Sequence, residues 1–177
     1  MIPEGKRLEV LYDEEVLAER IRALGAEITR DNAGRELTIV AVLKGSFVFV
    51  ADLVRAIDVP LTIDFLGLSS YGEETRSSGI VKITKDLSMP IQDKHVLVIE
   101  DIVDTGLTMR YLLENFETRK PASIQICTLL HKPANQQCEV PIDYTGFIIE
   151  DNFVIGYGLD LAQRYRNLPY IGQLLDA

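Results

Sequence analysis

The chain has few cysteines and lacks a long hydrophobic run. Its two cysteines, Cys127 and Cys138, are too few for a disulfide framework and lack the spacing partners of a zinc site. The most apolar stretch, residues 37–54, is interrupted by Lys44 and Asp52, so it lacks the roughly 18 uncharged apolar residues of a membrane-spanning helix. We therefore expect a reduced, cytoplasmic protein that does not enter a membrane.

Basic residues are also scarce. The chain carries 18 Lys and Arg against 27 Asp and Glu, a formal net charge of −9, and no segment is rich in lysine or arginine. This balance argues against avid binding to nucleic-acid phosphates or to an anionic membrane surface. A phosphate-bearing ligand would have to be held by local backbone amides, a few well-placed cations or a metal.

The composition is that of a globular protein. The hydrophobic fraction is 47% and the charged fraction 25% over 177 residues, and we find no internal repeat, low-complexity tract or linker. At roughly 150 residues per domain, this length predicts a single domain over residues 1–177.

Helical and strand-like patterns alternate along the chain. Asp13, followed by two glutamates, is typical of a helix N-cap. Short β-branched runs between the helical patterns are typical of strands that are buried on both faces. The patterns predict helices over residues 13–34, 47–57 and 105–119, and strands over 38–43, 61–68, 95–99, 124–130 and 145–149. This order predicts an α/β fold, doubly wound, with a mostly parallel central sheet and helices on both faces.

A long polar segment, residues 69–82, interrupts this alternation. Loops of this length in compact domains are either disordered or functional. A lid over a binding site and a plain hairpin tip are both open at this point.

The strongest chemical signal is the sequence EDIVDTGLT at residues 100–108. A buried strand ends in the adjacent carboxylates Glu100 and Asp101, and Asp104 follows just before a Thr-Gly-x-Thr turn. Ligands bind beyond the carboxyl ends of strands in open parallel sheets, and amides at a helix N-terminus suit a phosphate monoester. Acids beside an anion site require a cation or a hydroxyl-rich group between them, so a phosphorylated sugar with Mg²⁺ fits. In the simpler alternative Asp104 only caps the helix; the two roles are compatible.

Residues 100–108 resemble the phosphoribosyl-pyrophosphate (PRPP) binding loop of type I phosphoribosyltransferases. Nearly the whole chain is similar to the hypoxanthine-guanine branch of that family, at four places in the expected order. These are residues 43–46, residues 70–71, residues 100–108, and residues 130–133 together with 152–160.

The resemblance implies a role for each matching residue. The 5′-phosphate would be held by Asp104, Thr105, Gly106, Leu107 and Thr108, although some relatives carry lysine where this chain has Leu107. Ribose hydroxyls and Mg²⁺ would be bound by Glu100 and Asp101, with Asp160 near a second metal, and Asp104 would also accept a proton from N7 of the purine.

The remaining roles concern pyrophosphate, the base and a lid. Pyrophosphate would be bound by Lys44, Gly45 and Arg166, with a cis peptide between Leu43 and Lys44. The purine would contact Lys132 at its O6 atom, Phe153 by stacking, the backbone of Val154, and Asp160. Ser70 and Tyr71 would lie in the lid, and residues 150–177 would form a small hood.

The implied reaction is transfer of the 5-phosphoribosyl group from PRPP to N9 of hypoxanthine or guanine. It would yield IMP or GMP plus pyrophosphate, depend on Mg²⁺, and be carried out by a homodimer or homotetramer. Two alternatives stay open: a transferase of the same superfamily that prefers xanthine or adenine, and a regulator that keeps the fold to bind RNA or DNA. Lys132 argues against adenine, because an ammonium donates to a carbonyl but repels an amino group.

Overall fold

The computed structural model describes residue 2, residues 5–70 and residues 81–176. The predicted lid residue Tyr71 and most of the segment 69–82 therefore lie outside the described residues. Within the described residues, the helices are α1 (Glu14–Asp31), α2 (Phe47–Ala56) and α3 (Leu107–Glu117), with a short 3-10 helix at Pro133–Asn135. The strands are β1 (Lys6–Tyr12), β2 (Leu37–Leu43), β3 (Leu61–Ser70), β4 (Val81–Lys85), β5 (His95–Val103), β6 (Ser123–His131), β7 (Tyr144–Ile148), β8 (Val154–Ile155) and β9 (Ile171–Asp176).

Six strands form the main sheet in the order β4-β3-β2-β5-β6-β7. Every neighbouring pair is parallel except β3 and β4, which are antiparallel at one edge. The chain runs from β2 outward to β3 and β4 and then crosses to the other side of β2 with β5. The strand order therefore reverses between β2 and β5, which is where ligands bind in doubly wound folds.

Hydrophobic cores lie on both faces of this sheet. On one face α1 and α2 contribute Leu17, Ile28, Phe49 and Leu53 to a large buried cluster. On the other face α3 contributes Met109, Leu112 and Phe116, which belong to the same cluster as Val40 and Val98 of the central strands. Because helices cover both faces, the central strands are apolar along their length, as the sequence patterns predicted. The predicted doubly wound α/β fold is confirmed.

The helix termini show one confirmed prediction and one difference. The Asp13 carboxylate accepts a hydrogen bond of 2.9 Å from the Val16 amide and caps α1. Helix α3 begins at Leu107, two residues later than predicted, after Gly106 with φ of 81°. Among the described helices, none has both the length and the apolar composition needed to cross a membrane.

A second, antiparallel sheet has the order β1-β9-β8 and brings together the two ends of the described chain. Sequence analysis assigned the hood to residues 150–177 and predicted no strand over Lys6–Tyr12. The N-terminal strand β1 pairs with β9 along its length, from Lys6 opposite Asp176 to Tyr12 opposite Ile171. Its residues are mostly exposed or half-buried, so β1 lacks the apolar run that identified the central strands. Strand β1 therefore forms because it pairs with β9, a distant segment, and its own sequence carries no strand pattern.

Helices α1 and α2 are in close contact at Gly25. A methyl group at this position would lie 2.5 Å from both the Cβ atom and the carbonyl oxygen of Ala56. The helix pair can therefore pack at this distance only if residue 25 has no side chain.

We predict that Gly25→Ala lowers the free energy of unfolding by about 1–3 kcal/mol, because the added methyl forces the helices apart. Helix propensity alone predicts the opposite sign, a gain of about 1 kcal/mol for replacing glycine by alanine. Urea denaturation of the two proteins distinguishes these outcomes. The exposed α1 substitution Glu19→Ala is the control and should change stability by less than about 0.5 kcal/mol. A Gly25→Ala protein as stable as the parent would contradict this account of the contact.

Candidate active site

The residues singled out from the sequence meet where the strand order reverses. Leu43 ends β2, and the Leu43–Lys44 peptide is cis, as the resemblance implied. The turn that follows packs against the end of β5, and a methyl group at Gly45 would lie 1.5 Å from Oδ2 of Asp101. The absence of a side chain at residue 45 is what allows the β2 turn and the β5 carboxylates to share one space.

A cavity of about 280 Å³ opens between these two segments. It is lined by residues predicted to bind pyrophosphate, ribose and metal, namely Lys44, Gly45, Glu100, Asp101, Asp160 and Arg166. Thr108 of the predicted phosphate loop also reaches it. Three separate parts of the chain therefore contribute to one polar cavity at the carboxyl edge of the sheet.

Glu100 is the buried acid of this cavity, with 8% of its surface exposed. Burial, followed by the negative charge of neighbouring Asp101, raises the pKa of the Glu100 carboxyl well above its ordinary value. Asp101 is half-buried, and its Oδ1 atom accepts a hydrogen bond of 3.0 Å from the Ile102 amide. The adjacent pair would be stabilised by a cation or by hydroxyl donors.

The phosphate-loop residues enclose a smaller recess of about 80 Å³, which is lined by Asp104, Thr105, Gly106 and Thr108 together with residues of β5 and α3. Gly106 occupies the N-cap position of α3, where no side chain caps the helix, and the Thr105 hydroxyl lies 3.4 Å from the Leu107 amide. The suggested capping role of Asp104 is therefore wrong, because the N-cap position is occupied by Gly106, two residues later, which has a positive φ. Instead, Oδ1 of Asp104 is buried and has no hydrogen-bond partner among the described residues.

A segment that sequence analysis left unassigned supports this loop. The Gln137 amide donates a hydrogen bond of 2.9 Å to the Thr105 carbonyl. The Cys138 carbonyl oxygen lies 2.8 Å from where a methyl group at Gly106 would be. No local pattern marks these residues, because their contribution is a backbone contact across a gap of some thirty positions in the chain.

The hood closes the other side of the cavity. Arg166 donates a hydrogen bond of 2.8 Å to the Gly158 carbonyl and forms an ion pair of 2.6 Å with Asp160. The Gln163 side-chain oxygen accepts from Lys44 Nζ at 3.2 Å and from Arg166 Nη2 at 3.3 Å. Gln163 thus joins the two charged members of the predicted pyrophosphate set, Lys44 and Arg166, and no sequence pattern identified it. Its φ of 63° shows that an irregular turn places it there, which no periodicity reveals.

The carboxylates fit Mg²⁺ only in combination with a ligand. Within the described ranges, no group of three His, Cys, Asp or Glu side chains is placed to hold a metal by itself. Both Asp160 carboxylate oxygens have partners: one pairs with the Arg166 guanidinium, and the other accepts a hydrogen bond from the backbone N–H of Gln163. Glu100 and Asp101 are adjacent in the cavity, and Mg²⁺ is usually bound by one or two carboxylates plus substrate phosphates and water. The donor set suits that arrangement.

Two of the four predicted purine ligands are placed at this site, since Asp160 lines the cavity and Lys132 contacts the end of β5. The Lys132 amide donates a hydrogen bond of 2.9 Å to the Val103 carbonyl, which places Lys132 next to the end of β5 and therefore near Asp104. The Phe153 side chain is 50% exposed, as a stacking surface requires, whereas Val154 is buried at the start of β8. The predicted lid residue Ser70 is the last residue of β3.

A larger cleft of about 900 Å³ lies between α1, α2 and residues 166–169. Its walls are mainly apolar, and of the predicted site residues that the structure describes only Arg166 borders it. It contains neither the acidic pair nor the predicted phosphate loop. The smaller polar cavities therefore form the candidate active site.

We predict that Glu100→Gln raises the free energy of unfolding at about pH 8 by about 1 kcal/mol, because it removes a buried negative charge that lies beside Asp101. The pKa of Glu100 is higher in the folded protein than in the unfolded chain. At pH values between these two pKa values, the native state keeps a proton that the unfolded chain releases. This group's contribution therefore falls as pH rises through that window. The difference between variant and parent should shrink toward about pH 5, measured by urea denaturation in Mg²⁺-free buffer. A difference that does not depend on pH would contradict the shifted carboxyl.

Comparison with known proteins agrees with this geometry. The sequence model of the phosphoribosyl transferase domain matches residues 8–162. The hypoxanthine-guanine phosphoribosyltransferase of Bacillus subtilis is 48% identical over 169 residues, covering 96% of this chain and 94% of that protein. The bifunctional protein TilS/HprT of Listeria monocytogenes is 50% identical over 166 residues, and the chain spans only 26% of its length.

Solved structures give the same result. A crystal structure of a hypoxanthine-guanine phosphoribosyltransferase from Bacillus anthracis superposes with a TM-score of 0.90 at 46% identity. The match covers 94% of this chain and 98% of the other. The fold, the matched residues and these relatives together show that this chain belongs to the phosphoribosyltransferase family.

Proposed function

We propose that the protein is a purine-salvage enzyme that transfers the 5-phosphoribosyl group from PRPP to N9 of hypoxanthine or guanine, giving IMP or GMP and pyrophosphate. The observation that carries this proposal is the juxtaposition of the phosphate-loop recess with the acidic cavity at the strand-order reversal. The names of relatives that match nearly the full chain support the same reaction.

PRPP would bind across the two cavities. The amides and hydroxyls of residues 104–108 would hold the 5′-phosphate, and Glu100 and Asp101 would bind the ribose hydroxyls. Lys44, Gly45 and Arg166 would contact the pyrophosphate. Glu100 and Asp101 would also hold Mg²⁺, whose charge neutralises the leaving pyrophosphate, and Asp160 would lie near a second ion.

The chemistry would consist mainly of positioning and charge stabilisation. The bond from the anomeric carbon to pyrophosphate breaks with development of positive charge at that carbon, and purine N9 attacks it. The attacking base loses its N7 proton, and the buried, unpartnered Oδ1 of Asp104 is suited to accept it. Exclusion of water by a lid carrying Ser70 and Tyr71 would prevent hydrolysis of PRPP.

The base would be recognised at its O6 atom and its ring face. Lys132 would donate to O6, Phe153 would stack on the ring, and Val154 and Asp160 would contact its edge. As part of the same proposal, we expect a cytoplasmic location and a homodimer or homotetramer.

The first test is a spectrophotometric assay with PRPP and Mg²⁺ and four bases in parallel. We expect turnover of hypoxanthine and guanine, slow turnover of xanthine, and none of adenine, because Lys132 donates to a 6-oxo group. Fastest turnover of xanthine or adenine would reassign the base. Inactivity with all four bases, combined with measurable PRPP binding, would overturn the enzymatic proposal. RNA and DNA binding would then be measured as a function of salt.

A second test concerns the proton acceptor. We expect Asp104→Asn to lower kcat by about 10²–10⁴-fold, because an amide cannot take the N7 proton. The dissociation constant for PRPP, measured by calorimetry, should stay within about threefold, since the backbone amides of the loop are retained. Asp176→Asn, at the exposed end of β9, provides the matched control and should retain full activity. Unchanged turnover in the Asp104 variant would exclude the proton-transfer role.

A further inference from the structure

Lys132 is unusual among the cations of this protein. In the described part of the chain it is the sole lysine or arginine that is buried, with 7% of its surface exposed. A buried ammonium is costly unless it is paired and hydrogen-bonded. The Lys132 ammonium lies 3.3 Å from Oδ1 of Asp151, and this carboxylate is its counter-ion in the structure.

Asp151 is itself held in place from a second side. The Asn135 amide nitrogen donates a hydrogen bond of 2.7 Å to the same Oδ1 atom of Asp151. Asn135 ends the short 3-10 helix that follows Lys132, and its backbone amide lies 3.2 Å from the Lys132 carbonyl. The hydrogen bond from Asn135, and after it the Lys132 ammonium, lowers the pKa of the Asp151 carboxyl, so Asp151 is ionised at neutral pH.

The arrangement also connects two segments that the proposed function assigns to the base. Asp151 precedes the stacking residue Phe153 by two positions, on the loop that leads into β8. Lys132 and Asn135 lie on the loop that follows β6. A single carboxylate oxygen therefore joins the loop that carries the O6 donor to the loop that carries the stacking ring.

We propose that Asp151, held by Asn135, is a positioning residue that directs the Lys132 ammonium at O6 of the base and thereby sets the preference for 6-oxo over 6-amino purines. This inference rests on the proposed function and adds a residue to it. A lysine ammonium is a mobile charge on a four-carbon stem. It has three donors, so one can be fixed by Asp151 while the others remain for a carbonyl. Fixing the side chain before binding reduces the entropy lost when the base binds.

A purely structural role for this ion pair would have different consequences. The Asp151 side chain is 70% exposed, but the Lys132 side chain is only 9% exposed, so loss of Asp151 leaves a buried ammonium without its counter-ion. We therefore expect Asp151→Ala to lower the thermal unfolding midpoint, and a purely structural role would have no other effect. A positioning role should in addition weaken binding of the base.

The experiment compares Asp151→Ala, Asp151→Glu and Asn135→Ala with the parent. For Asp151→Ala we expect KM for hypoxanthine and the calorimetric Kd for IMP to rise about tenfold, with KM for PRPP within about twofold. Asp151→Glu should recover part of the loss, because it retains the carboxylate. Asn135→Ala should cause a smaller rise of about threefold. Inhibition by adenine should strengthen relative to hypoxanthine binding in Asp151→Ala.

A double-mutant cycle identifies the route of the effect. In the Lys132→Met background, Asp151→Ala should cause no further change in the Kd for IMP, because no ammonium remains to be positioned. Asp176→Ala removes an aspartate that is also paired with a lysine, at the edge of the hood sheet, and should leave both constants unchanged.

The outcomes separate this inference from the proposed function. Equal effects of Asp151→Ala in the two backgrounds, or an unchanged Kd in the parent background, would overturn the positioning role while the proposed function stands. A parent protein that converts no base and binds no IMP would overturn the proposed function, and the inference with it.

Discussion

The close approach of Gly45 to Asp101 is the contact on which the rest of the site depends. A side chain at residue 45 would overlap the Asp101 carboxylate, so any other residue there would displace this carboxylate from its position in the cavity. The hood also approaches this turn at a glycine, because a methyl group at Gly158 would lie 2.0 Å from the Gly45 carbonyl oxygen. The Gly45 main chain is therefore in contact with the Asp101 carboxylate and with the Gly158 main chain at the strand-order reversal.

The proposed substrate is a polyanion, whereas the protein itself is acidic. The net charge of −9 gives no long-range attraction for phosphate, so affinity has to come from local groups. The predicted phosphate loop supplies amides, and Lys44 and Arg166 supply positive charge in the adjoining cavity. Glu100 lines both cavities, and Asp101 lines the one that contains the two cations. The raised pKa of the Glu100 carboxyl reflects first its burial and then the negative charge of neighbouring Asp101.

The hood shares a hydrophobic core with the main sheet and its helices. Val154, Tyr157, Leu159 and Ile171 are buried in the cluster that also contains the side chains of α1 and α2. The Tyr157 hydroxyl donates a hydrogen bond to Asp52 of α2, so the segment that carries Asp160 and Arg166 is attached to the helix that begins at the β2 turn. Residues far apart in the chain thereby keep fixed positions around one cavity.

Local patterns in the sequence were enough to predict the central architecture and the acidic loop after β5. Apolar runs of β-branched residues identified the buried strands because helices cover both faces of a parallel sheet, and the acids with Thr-Gly-x-Thr predicted the phosphate loop. Other features became apparent only from the fold: Asp104 does not cap α3, β1 pairs with β9, and Gln163, Cys138 and Asp151 contact the predicted functional loops. The difference lies in how far apart in the chain the interacting residues are. Periodicity and local turn chemistry are properties of adjacent residues, whereas a strand defined by a distant partner, or a side chain held by an irregular turn, has no local pattern.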